Sequence, residues 1–239
     1  MRMCRGLIHS LVATLFAMLC ATAGPRAQTP NLVQPWGLPP LPPGVGPVEK
    51  FADVSGTPQG QFLEGGAFDT QGNLWFVAIG SGWVSYLTPD GKLVPVFNCN
   101  PAPELGQTCE PQGSRWHDGK LYLTSRHRGI LVWDPQTKQL STLVYTYRNQ
   151  LFKGPNDLDF DAEGNLYIGC YEPSQILRVS PGGRVDTLFH DETAHTLAHP
   201  TNLAFRGSTL FAANLGRWHL TAIEVGLPGL PLRRGAGRA

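Results

Sequence analysis

The sequence predicts an all-β fold, and three observations support this. Glycine contributes 28 and proline 21 of the 239 residues, well above their usual joint share of about 12%. Short runs of alternating apolar and polar residues are bounded by turn residues throughout the chain. One segment type also recurs four times at a nearly constant interval. Many short antiparallel strands account for all three observations.

The first element, residues 1–27, is predicted to be a secretory signal peptide. Arg2 and Arg5 precede an apolar run from Leu7 to Ala23 that ends in small residues, as in exported proteins. The mature protein is then expected to be secreted or periplasmic and to leave the membrane after processing. A membrane anchor is the alternative, but the run is marginal for a bilayer span of about 20 residues.

Three further segments follow the signal peptide. Residues 28–47 contain the run "TPNLVQPWGLPPLPPGVGP" and are predicted to be an extended linker without a core of its own. Residues 48–232 carry the periodic strand pattern and form the predicted folded domain. Residues 233–239 are predicted to be a disordered tail.

Export would remove Cys4 and Cys20 and leave Cys99, Cys109 and Cys170. Cys99 and Cys109 flank a short loop, and an oxidising compartment would allow a disulfide between them. Three buried free thiols are the alternative. The spacing of these cysteines matches no zinc site.

The repeated segments begin at Glu64, Gln112, Asn156 and Asn202, at intervals of 44 to 48 residues. Each has a short strand, a glycine turn and an apolar strand such as "NLWFVAI" or "NLYIGC", and a third strand follows. A fourth strand completes the first three segments. Four antiparallel strands at this period are typical of a β-propeller blade, whereas a plain sandwich lacks such self-similarity. The sequence therefore predicts a β-propeller of four-stranded blades, with four repeat units.

The pattern also predicts strand positions and a way to close the ring. Inner strands are expected near residues 67–70, 113–116, 157–160 and 202–205. The last repeat lacks an outer strand of its own, and residues 48–54 precede the first repeat without a partner. We expect residues 48–54 to pair near residues 218–225, because closure protects a sheet edge from aggregation.

The first residue of each repeat is polar and is expected to face the central channel. These residues are Glu64, Gln112, Asn156 and Asn202. Hard divalent cations bind such carboxylate and amide oxygens, so the pattern is compatible with a metal site. The alternative is that asparagine after proline caps a turn through its own backbone.

The loops between second and third strands open at the same end of the channel. They add positive and aromatic side chains around the mouth, which suits a small anionic or hydroxylated ligand. The candidate substrate-binding residues are Gln112, Arg126, His127, Tyr171 and Arg217. The net charge of +1 argues against nucleic acid, whose binding needs clustered basic residues. The oligomeric state is not predicted.

Three stretches resemble the opening, middle and closing blades of one family: "FLEGGAFDTQGNLWF", "FKGPNDLDFDAEGNLYI" and "HPTNLAFRGSTLFAANLGRW". This is the gluconolactonase/regucalcin (senescence-marker protein) family of six-bladed β-propellers. The resemblance implies a divalent metal, calcium or zinc, at the channel mouth. Glu64 and Asn156 match its ligands, and Asn202 is a further candidate. A small-molecule sugar lactone or similar ester would be hydrolysed there.

The chain also departs from the family pattern. It is about two blades short, and no Pro-Asp-Gly step that could supply the catalytic aspartate opens a later inner strand. Asp157 is the nearest candidate for the base, although in a regular strand it would face away from Asn156. Two hypotheses follow: an exported metal-dependent lactone hydrolase, or a non-catalytic binding module or truncated remnant of one.

Overall fold

The computed structural model describes residues 51–100 and 108–231. These residues form an all-β fold, whose only helical turn is a 3-10 turn at Pro58–Gly60. The predicted signal peptide (1–27), linker (28–47) and tail (233–239) lie outside the described residues. Within the described ranges, no helix has the length and apolar character needed to cross a bilayer.

Four antiparallel sheets are arranged as the blades of a four-bladed β-propeller, and each is a simple meander. Blade 1 consists of β1 (Leu63–Phe68), β2 (Leu74–Ala78), β3 (Trp83–Leu87) and β4 (Leu93–Asn98). Blade 2 consists of β5 (Pro111–His117), β6 (Lys120–Ser125), β7 (Gly129–Asp134) and β8 (Gln139–Val144). A two-stranded hairpin follows, made of β9 (Thr146–Tyr147) and β10 (Gln150–Leu151).

The second half of the molecule continues the same meander. Blade 3 consists of β11 (Pro155–Phe160), β12 (Leu166–Cys170), β13 (Gln175–Val179) and β14 (Val185–His190). Blade 4 consists of β15 (Pro200–Arg206), β16 (Thr209–Asn214) and β17 (Leu220–Glu224). The predicted inner strands are confirmed for blades 2 to 4, while that of blade 1 begins earlier in the chain than expected.

Apolar clusters join each blade to the next, because the inward-facing residues of every strand alternate with outward-facing ones. Between blades 1 and 2, Phe97 stacks on Trp133 with ring centroids 4.2 Å apart. A second cluster packs around Leu158 and Ile168 between blades 2 and 3. A third joins blades 3 and 4, where Tyr167 meets Phe205 edge to face at 5.0 Å.

The predicted closure by residues 48–54 is wrong for its described part, since residues 51–54 form no strand. Instead, the chain before β1 is bonded to the β2–β3 turn of its own blade. The Ile79 N–H donates to Phe62 O at 3.0 Å, and Ser81 Oγ donates to Pro58 O. In the described part of the chain, β17 is therefore the outermost strand of blade 4.

Cys99 and Cys109 form a disulfide, with an S–S distance of 2.10 Å and a Cα–Cα distance of 5.7 Å. This resolves the two alternatives left by the sequence. Cys170 is a buried free thiol on β12. Burial raises the pKa of its thiol to about 12, so the reactive thiolate is strongly disfavoured at neutral pH.

An aspartate organises the first hairpin turn of blades 1 and 3. In blade 3, Asp161 is fully buried and accepts hydrogen bonds from the backbone of Glu163 and Asn165, at 2.9 Å each, and from Tyr167 Oη at 3.0 Å. Asp69 binds its own turn in the same way and accepts from Trp75 Nε1 at 2.8 Å. The repeated "D-x-x-G-N-L" sequence is thus a turn motif.

Replacing the carboxylate should destabilise the propeller. Asp161→Ala leaves several buried donors unpaired, and we expect the free energy of unfolding to fall by about 3 kcal/mol. Urea denaturation measures it. Glu163→Ala is the matched control in the same turn, because that side chain is exposed, and it should change stability by less than about 0.5 kcal/mol. Equal effects of the two substitutions would contradict this role for Asp161.

Candidate functional site

Each inner strand carries a β-bulge close to its start. A bulge interrupts the strict alternation of side chains, so consecutive residues can line the same space. The register shifts fall between Glu64 and Ala67, Pro111 and Ser114, Pro155 and Asp157, and Pro200 and Asn202. As a result, Asn156 and Asp157 both line one cavity, contrary to the expectation that Asp157 would point away from Asn156.

This cavity, called here the channel cavity, has a volume of about 230 Å³ and lies between the four inner strands. Its polar side chains come from all four blades: Glu64 from β1, Ser114 and Arg115 from β5, Asn156 and Asp157 from β11, and Asn202 from β15. The structure therefore brings together the three predicted metal ligands and the predicted base. Glu64 and Asn202 are exposed, whereas Asp157 is 7% exposed.

The β-sheet registers show which positions are equivalent between blades. In blade 3, Pro155 precedes the bulge and Asp157 follows it. In blade 4, Pro200 precedes the bulge and Asn202 follows it. Asn202 is thus the counterpart of Asp157, and Thr201 is that of Asn156. The sequence aligned Asn156 with Asn202 as the starts of their repeats. The strand register matches Asn202 with Asp157 instead, so that alignment is off by one residue.

Asp157 is held between blades 3 and 4 and over blade 2. Its Oδ2 accepts the Leu203 N–H at 2.9 Å. Its Oδ1 lies over Gly113, where a Cβ atom would come within 2.5 Å of that oxygen. Burial raises the pKa of this carboxyl, partly offset by the Leu203 N–H and by Arg115. The site therefore holds a desolvated carboxylate with one restrained oxygen.

Asn156 and Gln112 form an amide pair, in which Asn156 Nδ2 donates to Gln112 Oε1. The bond joins the starts of two inner strands. In this orientation Asn156 Oδ1 remains an acceptor, and the Gln112 amide remains a donor. Gln112 and Asn156 also line a second, larger cavity of about 830 Å³, called here the outer cavity. Asn156 lines both cavities and connects them.

The outer cavity contains four of the five predicted substrate-binding residues: Gln112, Arg126, His127 and Tyr171. The fifth, Arg217, is not among the residues that line it, and its Nε donates to Ala194 O at 3.0 Å.

Ionic and aromatic contacts restrain the residues of the outer cavity. Glu110 lies 3.6 Å from Arg126 Nη1 and 3.5 Å from His127 Nε2. The Tyr171 ring stacks on His199 at 4.5 Å, and the Nδ1 atom of that histidine lies 2.8 Å from Tyr171 O. The positions of these side chains are thus set by partners outside the cavity.

Sequence reasoning missed one wall of the outer cavity. Residues of the β9–β10 hairpin and of the segment after it line this wall: Gln150, Leu151, Phe152, Lys153 and Gly154. The sequence signal for them is the extra stretch "YTYRNQL" between the second and third repeats, where a polar Arg-Asn pair joins two short apolar-containing runs.

The donor atoms of the channel cavity suit a hard cation. The described residues include no group of three or more His, Cys, Asp or Glu side chains placed to hold a metal. The channel cavity instead offers two carboxylates, Glu64 and Asp157, with the amides of Asn156 and Asn202. Calcium binds carboxylate and amide oxygens, whereas zinc prefers nitrogen and sulfur. These residues fit calcium better than zinc.

Comparisons with known proteins support the resemblance found in the sequence. No family model matches the chain. A gluconolactonase from Zymomonas mobilis is 29% identical over 171 residues, which cover 59% of this chain and 46% of that relative. A gluconolactonase structure from Xanthomonas campestris superposes with a TM-score of 0.57. Over the 171 matched residues the chain is similar to a gluconolactonase.

The structural matches describe the fold alone. The Xanthomonas campestris structure is 21% identical, over 69% of this chain and 58% of that one. Virginiamycin B lyase from Staphylococcus aureus, solved with quinupristin, superposes with a TM-score of 0.55 at 16% identity, over 73% of this chain and 57% of that one. The chain spans about half the length of the curated relative that it matches.

Close packing around Asp157 gives a test of the site's geometry. A methyl group at Gly113 would lie 2.5 Å from Asp157 Oδ1 and 2.7 Å from Asn156 O. We expect Gly113→Ala to displace the carboxylate and to destabilise the protein by about 1–3 kcal/mol. Thermal unfolding measures the loss.

Gly182→Ala is the control for this substitution. Its nearest non-neighbouring atom would be Ser180 Oγ at 3.9 Å, so the melting temperature should stay near that of the parent. If Gly113→Ala also melts like the parent, the close contact with Asp157 is not a constraint on the fold.

Proposed function

We propose that this gluconolactonase-like protein hydrolyses a lactone at the channel cavity, with a divalent cation as cofactor. One observation carries the proposal: the inner-strand bulges bring Glu64, Asn156, Asp157 and Asn202 around a single polar cavity. That cavity adjoins a larger one able to receive a small molecule. The similarity to a gluconolactonase supports a sugar lactone or related ester as the substrate class.

Glu64, Asn156 and Asn202 would hold the cation, with calcium preferred over zinc. A bound divalent cation would supply Lewis-acid polarisation of an ester carbonyl. Asn156 serves through its Oδ1, because its amide nitrogen is bound to Gln112. Glu64 contributes the negative charge, and its exposure at the first inner strand leaves its carboxylate accessible.

Asp157 would act as the general base. Its Oδ2 is bound to the Leu203 N–H, so Oδ1 remains to accept a proton from a water molecule beside the substrate. Burial raises the pKa of the carboxyl, which makes it a stronger proton acceptor than an exposed aspartate. The adjoining Gln112 amide is a donor that can orient the substrate carbonyl.

A second candidate function is non-catalytic binding at the same mouth. It is favoured by the internal pairing of the site: the Asn156 amide binds Gln112, and Asp157 binds the Leu203 N–H. Such pairing is also what a purely structural ring of polar groups requires. Metal binding and turnover distinguish the two functions.

We also propose that the protein is exported. The charged start and apolar run of residues 1–27 support this, as does a disulfide between Cys99 and Cys109, which persists in oxidising compartments. Fractionation of cells that express the full chain tests the proposal. Retention of the uncleaved chain in the cytosol would contradict it.

The catalytic proposal is tested by separating metal binding from turnover. Glu64→Gln should weaken calcium affinity by at least about tenfold, because it removes the one charge among the three proposed ligands. Asp157→Asn should retain calcium and lower kcat by about 10²–10⁴-fold, the usual contribution of a general base. Calorimetry reports calcium binding, and lactone hydrolysis before and after chelation reports turnover.

Glu163→Gln is the matched control, since Glu163 is an exposed turn residue at the other end of β11. It should change neither calcium affinity nor kcat. Absence of calcium and zinc binding in the parent protein, with no lactone hydrolysis, would exclude the hydrolase and leave the binding module.

A further inference from the structure

The outer cavity is larger than a simple sugar lactone requires. Its volume is about 830 Å³, against about 230 Å³ for the channel cavity that holds the proposed catalytic groups. Cavities of roughly 300–1,000 Å³ are typical of sites for drug-sized ligands. Asn156 lines both spaces, so a ligand that reacts in the channel cavity extends directly into the outer one.

Apolar side chains from two separate elements converge on the outer cavity. Leu151 ends the β9–β10 hairpin and is 59% exposed, and Leu215 follows β16 and is 68% exposed. Phe152, which is 7% exposed, forms the base of the same wall. Single exposed leucines are common, but two that meet in one concave site indicate an apolar ligand surface.

The charged side chains of the outer cavity balance one another. Arg126 is paired with Glu110, and the lining also carries Lys153 and Glu172, which have opposite charges. The cavity thus has no strong net charge that would select an anionic ligand. Among its uncharged polar groups, the Gln112–Asn156 amide pair lies at the junction with the channel cavity. The lining also includes His127, Gln150 and Tyr171. The amide pair thus lies where the reaction is proposed, and the leucines add apolar surface to the same cavity.

We propose that the preferred substrate is a lactone with an apolar substituent, such as an alkyl chain on the ring carbon next to the ring oxygen. The ring lies at the Gln112–Asn156 pair, and the substituent packs between Leu151 and Leu215. This inference rests on the proposed lactone hydrolysis and assigns the substrate class of that site. The hairpin inserted between blades 2 and 3 is then a specificity element, because it supplies one of the two leucines.

A chain-length series tests the inference. The substrates are γ-butyrolactone, γ-valerolactone, γ-hexalactone and γ-octalactone, assayed with calcium present. Burial of a methylene group is worth about two- to fourfold in affinity, so kcat/KM should rise by about that factor for each added methylene. The matching γ-lactams, which resist hydrolysis, give the same series as equilibrium binding measured by calorimetry.

Substitution of two exposed leucines tests whether this wall of the cavity causes the chain-length dependence of kcat/KM. Leu151→Asn and Leu215→Asn remove apolar surface from the cavity. Each should lower kcat/KM for γ-octalactone by at least about threefold and so flatten the chain-length dependence. Leu143→Asn is the control, because Leu143 is 47% exposed on β8 and does not line the cavity. It should keep the parent's slope. Circular dichroism verifies that all three variants are folded.

The outcomes separate this inference from the proposed function. Hydrolysis with equal kcat/KM across the series overturns the apolar-substituent inference and retains the lactonase. Chain-length-dependent lactam binding without hydrolysis retains the apolar subsite and overturns the lactonase. If the rise of kcat/KM with chain length is unchanged in both leucine variants, the substituent does not bind between Leu151 and Leu215. If neither hydrolysis nor lactam binding occurs, both proposals fall.

Discussion

Hydrogen bonds from each blade to the inner strand of its neighbour are the interaction on which the rest of the structure depends. Ser114 Oγ donates to Gly65 O between blades 1 and 2. Thr124 Oγ1 donates to Asn156 O at 2.6 Å between blades 2 and 3. Asp157 Oδ2 accepts the Leu203 N–H at 2.9 Å between blades 3 and 4. These bonds satisfy backbone groups that the bulges free from the regular ladder.

The same bonds determine what the site can do. A bulge that exposes a carbonyl or amide to the next blade also turns two consecutive side chains toward the channel. Asp157 is both a link between blades and the best-placed acid–base group, and its burial raises its pKa while the link restrains one oxygen. In the proposed mechanism, Asp157 therefore serves both stability and catalysis, and such a conflict is a common cost of functional sites.

Blades 1 and 4, the first and last along the chain, have a different environment from blades 2 and 3. The three apolar clusters of the described chain each join consecutive blades. Phe68 on blade 1 is 69% exposed, and Leu220 on blade 4 is 71% exposed. Such side chains would be covered in a middle blade. The outer cavity, by contrast, is lined mainly by blades 2 and 3 and the hairpin between them, so its geometry depends on how these two middle blades pack.

The sequence by itself determined the all-β fold, the repeat and most strand positions, because side-chain alternation and turn residues are local signals. It also identified Glu64, Asn156 and Asn202 as polar groups at the channel. Only the tertiary structure decided that Asn156 and Asp157 share one cavity and that Asn202 corresponds to Asp157. A bulge changes the direction of the neighbouring side chains, but no particular residue type marks its position in the sequence. The pairing predicted for residues 51–54 was wrong, and the cavity wall at Leu151 was missed, for a similar reason. Each depends on which distant strands come together, and packing between blades decides that.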